Sequence, residues 1–257
     1  LWRDHFGGRR LDSITAAEIA ACRDKWLSEG LAPATVNRRL AALAAVYTAA
    51  VKRWHVLPVS AHVVREVGRA REDNERVRWL TDDERTRLLR AAAASPNPYI
   101  HLAVVLSLAT GWRQSEIMGL SWDRVDLGRG WLTLEHSKNK DRRGVGVAGY
   151  ALGLLREFAA VRRGDTDLLF PSKTNPQQPM LLRKPWLAVL AEADITDFRW
   201  HDMRHDVASR LAMAGASLPE IGAVLGHRTP AMTKRYSHLS DRHITDVLAQ
   251  VSKGLGQ

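Results

Sequence analysis

The sequence predicts a mainly α-helical protein with one small antiparallel β-sheet, arranged as an all-helical first part and a larger, mostly helical second part. Three observations predict it. Apolar residues from Val36 to Trp54 recur at steps of three or four, which is helical spacing. Strand-like content with a partner is confined to one place, Trp131 to His136 with Gly144 to Val147. A highly charged stretch from Arg69 to Arg78, nearly without apolar anchors, reads as an exposed linker. The expected division is therefore residues 1–68, a linker at 69–78 and a second domain at 79–257.

The elements follow in order. Thr15 and Glu18 form a capping-box pattern, so a helix should run to about Glu29 and stop at Gly30. Pro33 and Thr35 open a second helix, with Val36, Leu40, Leu43, Tyr47, Ala50 and Trp54 on its apolar face and Arg38, Arg39, Lys52 and Arg53 as its charges. Thr81 and Glu84 repeat the capping box and start a helix to about Ala94, which Ser95-Pro96-Asn97-Pro98 breaks. An apolar helix should span Tyr99 to about Ala109 and stop at Thr110-Gly111. The hairpin comes next, with a polar turn from Ser137 to Arg143. Helices are then expected at about 150–162, 185–193, 202–214, 217–225 and 230–238, with stops at Gly215 and Gly226.

Composition narrows the function. With 45% hydrophobic residues the 257-residue chain can bury a core. Its formal net charge of +10 suits a polyanionic partner such as nucleic acid, although a solvated basic surface would read the same way. Residues 1–70 hold 11 basic and 6 acidic residues, so the first quarter is the more densely basic part. The single cysteine, Cys22, cannot form an internal disulfide, which fits a reducing cytoplasmic setting. No apolar run approaches a membrane span, and no membrane partner is expected. The chain opens on Leu1 with no signal-peptide pattern, and the expectation is an N-terminal piece outside this sequence.

Four segments can carry chemistry. Thr110-Gly111-Trp112-Arg113 with Glu116 places a guanidinium at the start of a new helix; alone, a surface Arg113–Glu116 pair explains it as well. His201-Asp202-Met203-Arg204-His205 puts His201 and Arg204 on one face near a helix N-terminus, where backbone N–H groups favour an anion. Arg matches phosphate oxygens with a planar fork of donors. His201 and His205 four apart superficially suggest a zinc-protease helix, but Asp stands where that motif has Glu, and Arg204 opposes a cation. The third and fourth segments are Leu225-Gly226-His227 and Arg235-Tyr236-Ser237-His238-Leu239. Ser209 to Gly226 also resembles the helix-turn-helix of DNA-binding regulators, a non-enzymatic alternative.

In this order and at these separations the four segments closely resemble the tyrosine recombinase, or phage integrase, family. The resemblance spans roughly residues 1–240 and is most specific at 109–236. It implies that residues 1–68 are a helical core-binding domain and residues 79–257 a catalytic domain with a C-terminal tail. It implies catalytic roles for Arg113, Lys138, His201, Arg204, His227 and Tyr236. Arg113 and Arg204 would clamp the phosphate, with a hydrogen bond from His227. Glu116 would orient an arginine, Tyr236 would attack phosphorus and His201 would take its proton. The family's hairpin lysine, acid for the leaving 5′ oxygen, falls on Lys138, with Lys140 its competitor. The implied reaction passes through a 3′-phosphotyrosyl intermediate, which stores the energy of the cut, and needs no cofactor, metal or ATP.

The implied partner is double-stranded DNA, clasped by two domains. Assembly is expected as a homotetramer on DNA and a monomer without it, with room for accessory DNA-bending or directionality proteins. Arg38, Arg39, Lys52 and Arg53 are candidate DNA contacts, each equally readable as solvated charge. Ile244, Val247, Leu248 and Val251 could dock the tail on a neighbouring protomer or fold back on their own domain. Phage-type integrases often carry a further N-terminal DNA-binding domain, and the expected source is a bacterial or phage genome. A type IB topoisomerase shares the chemistry but not the separate core-binding domain. A regulator, or a recombinase fold without catalysis, would not need the full residue set.

Overall fold

The structure, a computed structural model, describes residues 1–72, 78–135, 142–227 and 229–240, with 245, 248, 249 and 252 beyond them. The chain forms two compact units, Leu1–Glu75 and Arg76–Gln257.

The first unit holds α1 (Trp2–Phe6), α2 (Ala16–Ser28) and α3 (Pro33–Lys52). Helix α2 starts at a complete capping box: Glu18 N–H donates to Thr15 Oγ1 at 3.3 Å and Thr15 N–H to Glu18 Oε2 at 2.9 Å. The buried face of α3 presents Leu40, Leu43 and Tyr47 to Ile14, Ile19, Val64 and Val67. Tyr47 is fully buried, and its hydroxyl donates to the Leu11 carbonyl at 2.7 Å. Trp54 does not belong to this face. It lies past the end of α3 and is 54% exposed. Helix α1 was not expected; its five residues are too few for a periodic signal, and Trp2 holds it by stacking on Phe6 and meeting Trp26 edge-on. The expected linker is anchored at its start. Buried Asn37 donates to the Ala70 carbonyl and to Glu72 Oε1 and accepts from the Ala70 N–H.

The second unit holds α4 (Asp82–Ala94), α5 (Ile100–Thr110), α6 (Gln114–Met118), β1 (Val125–Asp126), β2 (Trp131–Glu135) and β3 (Arg142–Gly146). Then come α7 (Gly149–Ala160), α8 (Arg183–Glu192), α9 (Asp202–Met213), α10 (Leu218–Leu225) and α11 (Ala231–Lys234), followed by a 3₁₀ turn at Ser237–Ser240. Helix α5 is apolar nearly all round because it lies inside the unit, touching α4, α7 and α9. The sheet is antiparallel in the order β1-β2-β3, with Leu132 opposite Val145. Strand β3 begins two residues earlier than expected. Arg143 is held there by partners distant in sequence, Glu116 and the Leu225 carbonyl. Helix α11 is shorter than expected, because Tyr236 and Leu239 bond back three residues rather than four.

One buried carboxylate fixes the helix on which the site depends. Asp206 of α9 is fully buried and accepts from the Leu80 N–H at 3.0 Å, Arg85 at 2.8 Å and Arg210 at 3.2 Å. These bonds tie the start of α4 to the middle of α9. No helix among the described residues is long and apolar enough to cross a membrane. Of the four apolar tail positions, Ile244, Val247 and Val251 lie outside the described residues, and Leu248 is exposed.

Candidate active site

Helix α9 brings two of the singled-out residues, His201 and Arg204, to one end, with His205 beside them. His201 stands at its N-cap, and Arg204 and His205 follow on the same face. Arg204 is 4% exposed, and its Nη1 donates to the Gly111 carbonyl at 2.9 Å. Gly111 ends α5 in the left-handed conformation, φ +65°, and a Cβ there would strike Leu225 and Val207. Only glycine permits both the turn and the close packing. Arg204 Nη2 is buried without a hydrogen-bond partner, a donor still to be satisfied. Burial, then the positive charges of Arg113 and Arg143, lower the Arg204 pKa to about 10. It stays cationic at neutral pH, in a setting that favours an incoming anion.

Arg113 caps α6, and Glu116 answers it twice, accepting from the Arg113 backbone at 2.8 Å and from its Nη1 at 2.9 Å. The same carboxylate accepts from Arg143 Nη2 at 2.6 Å. Arg143 Nη1 donates to the Leu225 carbonyl, and its guanidinium lies over the Trp112 ring, 5.8 Å from the centroid. One arginine on β3 thus joins the strand to α6 and to the end of α10. Gly226 lies against it at φ +67°, where a Cβ would collide with that guanidinium.

Tyr236 is 2% exposed and packs among Val207, Ala208, Ile221 and Leu225. Its hydroxyl is hydrogen-bonded to His205 Nδ1 at 2.5 Å. Burial raises the Tyr236 pKa, against the opposing pull of Arg235 and Arg204. Burial, then His201, lowers that of His205 to about 4. The histidine is therefore neutral and the tyrosine protonated near neutral pH; with no other acceptor for the hydroxyl hydrogen among the described residues, the O–H donates and Nδ1 accepts. His227 is likewise lowered to about 4, by burial and then Arg204 and Arg113, and its Nδ1 lies 2.7 Å from Thr233 Oγ1. The His201 pKa is lowered by burial first and then by Arg204.

Arg113, His201, Arg204, His227 and Tyr236 therefore share one electrostatic neighbourhood. Lys138 and Lys140 lie outside the described residues. Three residues at the site escaped the sequence reading. His205 lies within the segment His201–His205, but the 3.6-residue repeat that pairs His201 with Arg204 pairs His201 with His205 equally well. The sequence places Arg143 in the polar turn Ser137 to Arg143. Thr233 carried no signal beyond its place three residues before Tyr236.

The chain is similar to several known proteins. Residues 78–243 match the model of the phage integrase family. The chain is 27% identical to the integrase of Salmonella phage P22, over 99% of this chain and 73% of that protein. It is 30% identical to the shufflon-specific DNA recombinase of Escherichia coli, over 90% of this chain but only 59% of that protein's length. Among solved structures it superposes on a lambda integrase tetramer bound to a Holliday junction with a TM-score of 0.69, 22% identity, 91% of this chain and 68% of that chain. The family match covers more than half of the chain and contains all the singled-out site residues: the chain belongs to the phage integrase family of tyrosine recombinases.

Proposed function

We propose that this protein is a site-specific recombinase that cuts and rejoins DNA strands through a 3′-phosphotyrosyl bond on Tyr236, without metal or ATP. One observation carries the reading. Arg113, Arg143 and Arg204 crowd together near a buried tyrosine, with Glu116 as the carboxylate that answers two of them. Such an excess of fixed positive charge is costly in an empty site and is relieved by a phosphodiester. It is relieved further by the pentavalent transition state, whose charge gathers on the non-bridging oxygens.

In the reaction the Tyr236 oxygen forms a bond to phosphorus as the bond from phosphorus to the 5′ oxygen breaks. Arg113 and Arg204 clamp the non-bridging oxygens, and His227 adds a donor. The tyrosine gives its proton to a histidine of α9. The family resemblance implies His201 for this role; the 2.5 Å bond to Tyr236 favours His205. Lys138, or Lys140, protonates the leaving 5′ oxygen. Attack by a 5′ hydroxyl of a second strand reverses each step and reseals the DNA.

The residues of 1–68 act as the core-binding domain, those of 79–257 as the catalytic domain, with 69–78 between them. Double-stranded DNA is the partner, and the working assembly is a homotetramer on DNA formed from monomers. Capture of a covalent DNA adduct that disappears in Tyr236→Phe tests the proposal.

A further inference from the structure

Thr233 stands between two functional groups of the site. Its side-chain oxygen lies 2.7 Å from His227 Nδ1, and its carbonyl accepts from the Tyr236 N–H at 3.0 Å. It is 2% exposed. The other end of His227 is held as well, since its backbone N–H donates to the Gly222 carbonyl at 2.9 Å. Thr233 Oγ1 makes no other hydrogen bond among the described residues, and neither does the His227 ring.

The direction of the bond follows from what each atom can do. A neutral imidazole carries one N–H, on Nδ1 or on Nε2. Were Nδ1 the donor, the threonine hydroxyl hydrogen would be left buried with no acceptor, which costs about 1–3 kcal/mol. With the hydroxyl donating to Nδ1, both groups are satisfied and the ring hydrogen sits on Nε2. His227 keeps that form near neutral pH, because its own pKa lies at about 4.

We infer that Thr233 is a positioning residue for strand cleavage: its hydroxyl fixes His227 as the Nε2–H tautomer and so leaves an N–H free to donate to the DNA phosphate. This rests on the recombinase reading of the site. Thr233 also ties that donor to the nucleophile's own backbone, so movement of the Tyr236 segment carries the donor's orientation with it.

The experiment has two arms, both on the full chain. The first needs no DNA. Long-range proton–nitrogen correlation spectra of histidine labelled with nitrogen-15, with His227 assigned by its loss in His227→Gln, report which ring nitrogen bears hydrogen. The expected wild-type pattern at pH 7 is hydrogen on Nε2, retained in Thr233→Ser and replaced by a mixture of tautomers in Thr233→Val. Hydrogen on Nδ1 in the wild type, or an unchanged pattern in Thr233→Val, overturns the inference.

The second arm is single-turnover cleavage of a nicked substrate. Thr233→Val should slow cleavage about tenfold, the order expected for one lost orienting hydrogen bond. DNA affinity should be unchanged, and Thr233→Ser should restore the rate. In a His227→Ala background the valine should add no further loss, since the two act as one unit. Additive losses overturn the inference. If the wild type cleaves no DNA, the recombinase reading fails while the spectra still decide the tautomer.

Discussion

The Tyr236 hydroxyl donates to His205 Nδ1 across 2.5 Å, with the tyrosine buried and the histidine half-buried. The proposed nucleophile is thus held protonated against a neutral base. His205→Phe removes the acceptor while keeping a ring of similar size. The expected result is a fall in cleavage rate of about 100-fold or more, the range for losing a positioned base. His201→Gln is the comparison. Loss of cleavage in His201→Gln with a normal rate in His205→Phe would return the proton to His201.

The same burial makes stability depend on pH. His205 and His227 both titrate near 4 in the folded protein, against about 6.5 for a free histidine. As pH falls, the unfolded chain takes up these protons first. Stability is therefore fully present above about pH 6.5 and declines as pH drops toward 4, where the folded histidines also protonate. Thermal midpoints should fall by several degrees between pH 7 and pH 4.5. The fall should be shallower in the double variant His205→Phe with His227→Gln. An equally steep fall in that variant would place the titration elsewhere.

Arg143 and Glu116 predict a structural failure distinct from a chemical one. Glu116→Ala leaves the largely buried Arg143 guanidinium without its carboxylate, a change costing about 3 kcal/mol. Urea unfolding should show a lower midpoint with an unchanged slope. Adding Arg143→Met should recover part of the loss by removing the orphaned charge. A double variant less stable than Glu116→Ala alone would mean that Arg143 is held by its other partners.

Helix starts were the most legible part of the fold, because the capping boxes at Thr15–Glu18 and Thr81–Glu84 are local and complete in sequence. The hairpin was legible for the same reason. Strand β1 was not, being two residues that find their register only against Leu132 and Trp131. Arg143 was unreadable because its partners lie 27 and 82 residues away. The site segments stood out through their order along the chain, while the tautomer lock at Thr233 and the bond to His205 arise from packing α11 and its following turn against α9 and α10.

Lys138 and Lys140 predict opposite responses to a change of leaving group. Each alanine variant should be compared on a normal substrate and on one with a 5′-thiol leaving group, which needs no proton. The sulfur substrate should restore cleavage in Lys138→Ala and leave Lys140→Ala unaffected. Rescue confined to Lys140→Ala would reverse the assignment.

In the proposed reaction Tyr236 becomes covalently joined to DNA. The direct measurement uses a nicked duplex bearing the protein's site, from which the cut fragment diffuses away, followed by a denaturing gel. A protein–DNA adduct should form in the presence of a chelator, map to Tyr236 and be absent in Tyr236→Phe. An adduct that survives Tyr236→Phe, or one that requires added metal, would contradict it.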